Sequence, residues 1–83
     1  MKKYLVDVYL PAIGKHYDVY LSAGKKVGEA TQLLVQIVES LTRGAFKGTE
    51  HTILINADSG EPVGRHLTVY DAGIRNASRL ILV

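Results

Sequence analysis

Across residues 4–10 apolar and polar positions alternate. Tyr4, Val6, Val8 and Leu10 fall on one side; Leu5, Asp7 and Tyr9 fall on the other. A period of two, enriched in valine and tyrosine, predicts a strand. Pro11 lacks a backbone donor and ends the pairing, and residues 12–15 make a turn in which Gly14 can take positive φ. Residues 16–21 alternate again, with Tyr17, Val19 and Leu21 set against His16, Asp18 and Tyr20. Two strands joined by so short a loop predict an antiparallel hairpin.

After a connector at residues 22–25 the period changes. Over residues 26–42, Val27, Ala30, Leu34, Ile37, Val38 and Leu41 fall within a stripe about 100° wide, the mark of an amphipathic helix. Glu29 in the first turn and Arg43 just past the last suit the helix dipole. Gly44 is read as the C′ stop, and the start lacks a strong cap. Leu33 and Val35 flank the stripe; they either extend the rim of the core or form a second contact surface. Residues 45–50 are loop. Residues 51–56 read as a strand with Ile53 and Ile55 on one side and Leu54 on the other. Asp58, Ser59 and Gly60 signal a turn, and Pro62 with Val63 a very short edge strand. Residues 69–72 form one helical turn, Gly73 a left-handed corner, and residues 79–83 a last strand. The order strand, strand, helix, strand, short strand, strand defines one α+β domain over residues 1–83. It is a mixed four- or five-stranded sheet with one helix across one face. A helix of about 16 residues spans roughly 24 Å, enough to cross such a sheet and leave its other face to water.

Composition narrows the chemistry. Eighty-three residues make one domain, which buries roughly 60–65% of the surface its unfolded chain exposes. With no cysteine, disulfides, thiolate catalysis and cysteine-based zinc sites are excluded. No apolar run is long enough to span a bilayer. The N-terminal stretch Met1-Lys2-Lys3 is basic, like the start of a signal peptide, but Asp7 soon breaks the apolar run after it and no cleavage site completes the pattern. A cytoplasmic location is the expectation. The net charge is +2, with basic residues scattered and paired only at Lys2-Lys3 and Lys25-Lys26. That distribution does not predict nucleic-acid binding.

Val69-x-Asp71-x-Gly73-Ile74-x-Asn76-x-x-Arg79-Leu80 resembles the closing motif of the small ubiquitin-like proteins encoded in type VII (Esx-type) secretion loci, the YukD/EsaB family of Firmicutes. The hairpin Val6–Leu10 and Tyr17–Leu21 is similar too, and the likeness covers the chain in length and element order. Ala77 stands where the family often has glycine, which implies a different turn, and residues 43–50 do not align. The resemblance implies a ubiquitin-like β-grasp. It further implies a bacterial, non-enzymatic, non-conjugated accessory of a secretion machine whose substrates are small helical-hairpin proteins. Conjugating relatives carry a Gly-Gly tail after the last strand; here Val83 is expected to end in the sheet.

No chemical constellation competes. His16, His51 and His66 are not at ligand spacing, and only His51 beside Glu50 invites a check; no metal or cofactor is expected. Asp71 beside Gly73 is read as accepting backbone N–H bonds at a tight turn. The serines have no activating His–Asp arrangement. The open face of the sheet is the better lead. If Val6, Val8, Tyr17, Val19, Ile53, Ile55, Leu80 and Leu82 pack on the helix, then Leu5, Tyr9, Tyr20, Leu54, Ile81 and Val83 point outward. Six apolar residues on one face can form a patch of several hundred Å², the size that marks interaction sites. By resemblance, Leu54, Ile81 and Val83 occupy places comparable to ubiquitin's own apolar docking patch. Cover by residues 43–50, or by lysine and arginine stems, is the competing reading. The expected function is protein docking, with a secretion-machine component or a second copy as partner, no nucleic acid and no direct membrane insertion. The alternative is a sulfur carrier or modifier whose Gly-Gly is missing from this chain.

Overall fold

The computed structural model describes residues 2–83; Met1, the first residue of the basic start, lies outside them. The elements are β1 (Lys3–Leu10), β2 (Lys15–Ser22), α1 (Val27–Leu41), β3 (Leu54–Asn56) and β4 (Arg79–Leu82). They form a four-stranded mixed sheet in the order β2-β1-β4-β3. β1 pairs antiparallel with β2 and parallel with β4, and β3 is antiparallel to β4. The helix crosses one face, as its length requires. This is the ubiquitin-like β-grasp.

The core lies between sheet and helix. Tyr4, Val6, Val8 and Leu10 of β1, Val19 and Leu21 of β2, and Leu80 and Leu82 of β4 are buried there, as the alternation predicts. From the helix come Val27, Ala30, Thr31, Leu34 and Val38. The buried stripe is rotated from the predicted one. Thr31 is inside, its hydroxyl donating to the Val27 carbonyl at 2.8 Å, whereas Ile37 and Leu41 are 42% and 57% exposed. Counting apolar residues places the stripe one row off, because Ile37 and Leu41 are as apolar as the residues that pack.

β3 differs most from expectation. The strand is short, and residues 51–53 precede it; Thr52 is buried and His51 exposed in a turn. Leu54 is opposite Leu82 in the ladder and 2% exposed. Leu54 therefore belongs to the core and does not point outward; Ile55, opposite Ile81, takes the open face. Three apolar residues in a row at 53–55 give no alternation from which to read the phase, so the register with β4 decides it. The Pro62 segment makes a single bridge to Ile55 rather than a strand, flanked by Val63 N–H to the Leu54 carbonyl at 2.9 Å.

The helix ends are set by the rest of the chain. No side chain caps the start; instead Val27 and Gly28 donate to the carbonyls of Leu67 and Arg65 at 2.8 and 3.0 Å. At the other end the C′ residue is Arg43, at φ 52°, and Gly44 comes after it. Arg43 N–H bonds the Ser40 carbonyl and Gly44 N–H the Glu39 carbonyl at 3.2 and 2.9 Å, the paired closure of a Schellman motif. Beyond it, residues 43–50 cover the end of the core, not the open face. Phe46 is 5% exposed and held by its N–H to the Thr42 hydroxyl at 3.1 Å. Gly48 rests on Val35 so closely that a Cβ would sit 2.4 Å from its Cγ1. Val35 is thus rim of the core, while Leu33 is 44% exposed.

Candidate functional site

The open face of the sheet is built in rows, because strand register places one residue of each strand side by side. In one row Tyr20 of β2 lies opposite Leu5 of β1; the row continues to the 76–77 turn, where the Leu5 N–H donates to the Asn76 side-chain oxygen at 2.9 Å and the Leu5 carbonyl accepts from Ala77 at 2.8 Å. The next row is Asp18, Asp7 and Arg79, with Asp58 ion-paired to Arg79. The third is His16, Tyr9, Ile81 and Ile55. Beyond it Val83 and Ile53 exchange both backbone bonds at 2.8 and 3.1 Å, so Val83 is held beside the sheet although β4 proper ends at Leu82.

Of the six residues expected to point outward, five are on or at the edge of this face. Leu5 and Tyr20 are 38% and 64% exposed, Val83 is 45% exposed, and Tyr9 and Ile81 are half-buried. Leu54 is not among them. The face is also less uniformly apolar than expected, because the charged row separates the Leu5–Tyr20 pair from the Tyr9–Ile81–Ile55 run. Asp7 and Asp18 sit directly opposite one another, an unfavourable pairing by itself. His16 relieves it by reaching both Asp7 oxygens through Nδ1 at 3.0 and 3.1 Å, while its ring packs on Tyr9 at 4.5 Å. Arg79 lies on the other side of Asp7; the hydrogen bond and charge of Asp58, and then the charge of Asp7, raise its pKa above the ordinary arginine value. The belt was present in the sequence as the polar half of each alternation. Its assembly into one row needed the register.

The other candidates resolve simply. His51 and Glu50 are 3.5 Å apart and both almost fully exposed, a contact of little consequence. Among the described residues no group of three or more His, Cys, Asp or Glu side chains could hold a metal, and no helix is long and apolar enough to cross a membrane. At the 69–73 turn the Thr68 hydroxyl, not Asp71, accepts the capping N–H, from Asp71 itself at 3.0 Å. Gly73 takes the predicted left-handed corner at φ 84°. Ala77 adopts φ 68°, a left-handed backbone of the kind that favours glycine, although the residue is alanine. A second apolar surface, read from the sequence only in part, runs along α1 as Leu33, Ile37 and Leu41, one turn apart on one side of the helix.

This architecture is that of a ubiquitin-like domain presenting its sheet. No protein-family model matches the chain, and no curated protein sequence matches it significantly. Solved structures do. The ubiquitin-like domain of EccD5 from Mycobacterium xenopi superposes with a TM-score of 0.84 at 19% identity, over 100% of this chain and 94% of that one. The same score is reached at 21% identity with a component of the MycP5-free ESX-5 inner membrane complex, where this chain covers 21% of the other. The ubiquitin-like domain of the Mycobacterium tuberculosis type VII secretion protein EccD1 superposes at 0.78 and 16% identity, over 100% and 99% of the two chains. Such identities establish the shared fold; function has to be argued from the site.

Proposed function

We propose that this chain is a non-enzymatic interaction module that serves a type VII secretion apparatus and docks through the open face of its sheet. The observation that carries the reading is the end-to-end likeness to the EccD5 ubiquitin-like domain. The closing motif at residues 69–80 supports it, as does similarity to a chain of the ESX-5 inner membrane complex. The open face supplies the means. The Tyr9–Ile81–Ile55 run gives apolar contact area, and the Asp18–Asp7–Arg79 row beside it fixes orientation, the division of labour found in protein interfaces. A cytoplasmic, non-conjugated protein of the YukD/EsaB type fits this arrangement.

The test is co-purification of the tagged chain from its own organism with the membrane complex of the secretion system. Wild type should be retained, and Leu5→Asp with Ile81→Asp should be lost while remaining folded by circular dichroism. Absence of retention, together with normal secretion after deletion of the gene, would overturn the proposal.

A further inference from the structure

The scattered basic residues of the sequence are gathered by the fold at one end of the molecule. Lys3 lies opposite Ser22 across the hairpin, and the Lys2 carbonyl accepts the Ala23 N–H at 2.9 Å, which brings the start of β1 to the β2–α1 connector. Lys26 bridges to Thr68 and its Nζ donates to the His66 carbonyl at 3.1 Å. Arg65 lies against Gly28, with its guanidinium 3.4 Å from where a Cβ would be. Arg75 stacks over the Tyr70 ring at 3.9 Å, and both Arg75 and Lys2 come within 6 Å of the Tyr4 ring, at 5.6 and 5.5 Å.

With Lys25, six of the ten basic residues are at this end, against two of the eight acidic ones, Glu29 and Asp71. The end carries a net charge of +4 and the remainder −2, counted from the same 83 residues. The ion pairs of the described residues are His16–Asp7, His51–Glu50 and Arg79–Asp58, all elsewhere. The six cations therefore have no carboxylate partner among the described residues. Tyr70, half exposed, stands among them.

We propose that this cationic end is a docking surface for an anionic membrane. The charge is not drawn into a line or a cleft. It spreads from the sheet side, at Lys2 and Lys3, to the helix side, at Lys26 and Arg65, across a body whose extents are 31 × 26 × 23 Å. Cations spread over a surface in this way, with Lys2 and Arg75 over one ring and Lys26 and Arg65 on the helix side, match an extended anionic sheet better than a small ligand. Lysine and arginine near an anionic leaflet each add attraction, and tyrosine suits the headgroup level because its ring is apolar and its hydroxyl wet. The surface adsorbs and does not insert. It adjoins the open sheet face at Lys3, two residues along β1 from Leu5, and leaves the Tyr9–Ile81–Ile55 run at the other end of that face free for a protein.

The test is flotation of the full chain with vesicles of phosphatidylcholine alone, or with about a third phosphatidylglycerol, at low and at higher salt. Wild type should bind the anionic vesicles only and be released by salt. Lys2→Glu with Lys3→Glu should weaken binding by at least tenfold, at about fivefold per cation. Lys15→Glu with Lys47→Glu, the same net charge change at the opposite end, should bind several-fold better than the first pair. No binding to anionic vesicles, or equal loss in both pairs, would overturn the proposal. So would tighter binding to polyglutamate or to a DNA duplex than to vesicles, which would mark a different class of partner. The vesicles contain no secretion component, so this result does not depend on the function proposed above.

Discussion

The two faces of this sheet use the same strands and obey different rules. On the covered face Tyr4, Val6, Val8, Leu10, Leu54, Leu80 and Leu82 are each 2% exposed or less. On the open face the residues next to them in the chain alternate between apolar and charged rows. The covered face is selected by exclusion of water: any unpaired polar group there loses its hydration without replacement. The open face is under no such constraint, so its pattern is free to encode contact. What differs between Leu54 and Ile55 is thus the rule each position answers to, although their hydropathy is nearly the same.

The largest effect expected from breaking that contrast is Leu54→Asp. A charge placed where Leu54 is buried against Leu82 has no partner, and an unpaired buried charge costs several kcal/mol. That is most of the stability of a domain this size, so thermal unfolding followed by circular dichroism should show no cooperative transition at room temperature and above. A folded Leu54→Asp protein would mean that the strand phase is wrong. Phe46→Ala comes next. The ring seals the covered side where the 43–50 loop folds back, and its removal should cost about 3–5 kcal/mol in urea unfolding. A loss below about 1 kcal/mol would show that the loop merely rests on the core. Ile81→Asp, one residue from buried Leu82, should leave stability within about 1 kcal/mol of wild type. Its charge faces the half-open row beside Tyr9 and Ile55. A destabilisation as large as that of Leu54→Asp would make the two faces equivalent. Smallest is Ala77→Gly. At φ 68° alanine carries left-handed strain of about 1–2 kcal/mol, offset by about 0.4–1 kcal/mol from the greater freedom of glycine in the unfolded chain. A net gain of about 0.5 kcal/mol, some 2–4 °C in Tm, is expected; a loss would mean the backbone relaxes differently.

The parts of the molecule that local pattern could reach were legible. In β1 and β2 Asp7, His16 and Asp18 mark the outward side, so the faces follow from period two, and Val27, Leu34 and Val38 follow from the helical period. The site was legible in part: Leu5, Tyr9, Tyr20, Ile81 and Val83 could be placed on the open face, while Leu54 could not, because Ile53, Leu54 and Ile55 are all apolar and no local contrast fixes their phase. The charged row was visible only as separate residues, since Asp7, Asp18 and Arg79 are far apart in sequence. The α1 ridge of Leu33, Ile37 and Leu41 was divided between core and rim because its residues are as apolar as those that pack, so hydropathy does not set the rotation of the helix.

Sequence alone determined the order of the main elements, the hairpin, the helix and its approximate ends, the closing corner at Gly73 and the absence of cysteine chemistry. These depend on interactions between residues a few positions apart, which the order of side chains encodes directly. Tertiary structure decided which face Leu54 takes, who caps the helix at Leu67 and Arg65, where Phe46 goes and how six dispersed cations meet at one end. Each of those depends on which distant segment arrives as a neighbour, and that is fixed only when the strands choose their register and the core closes.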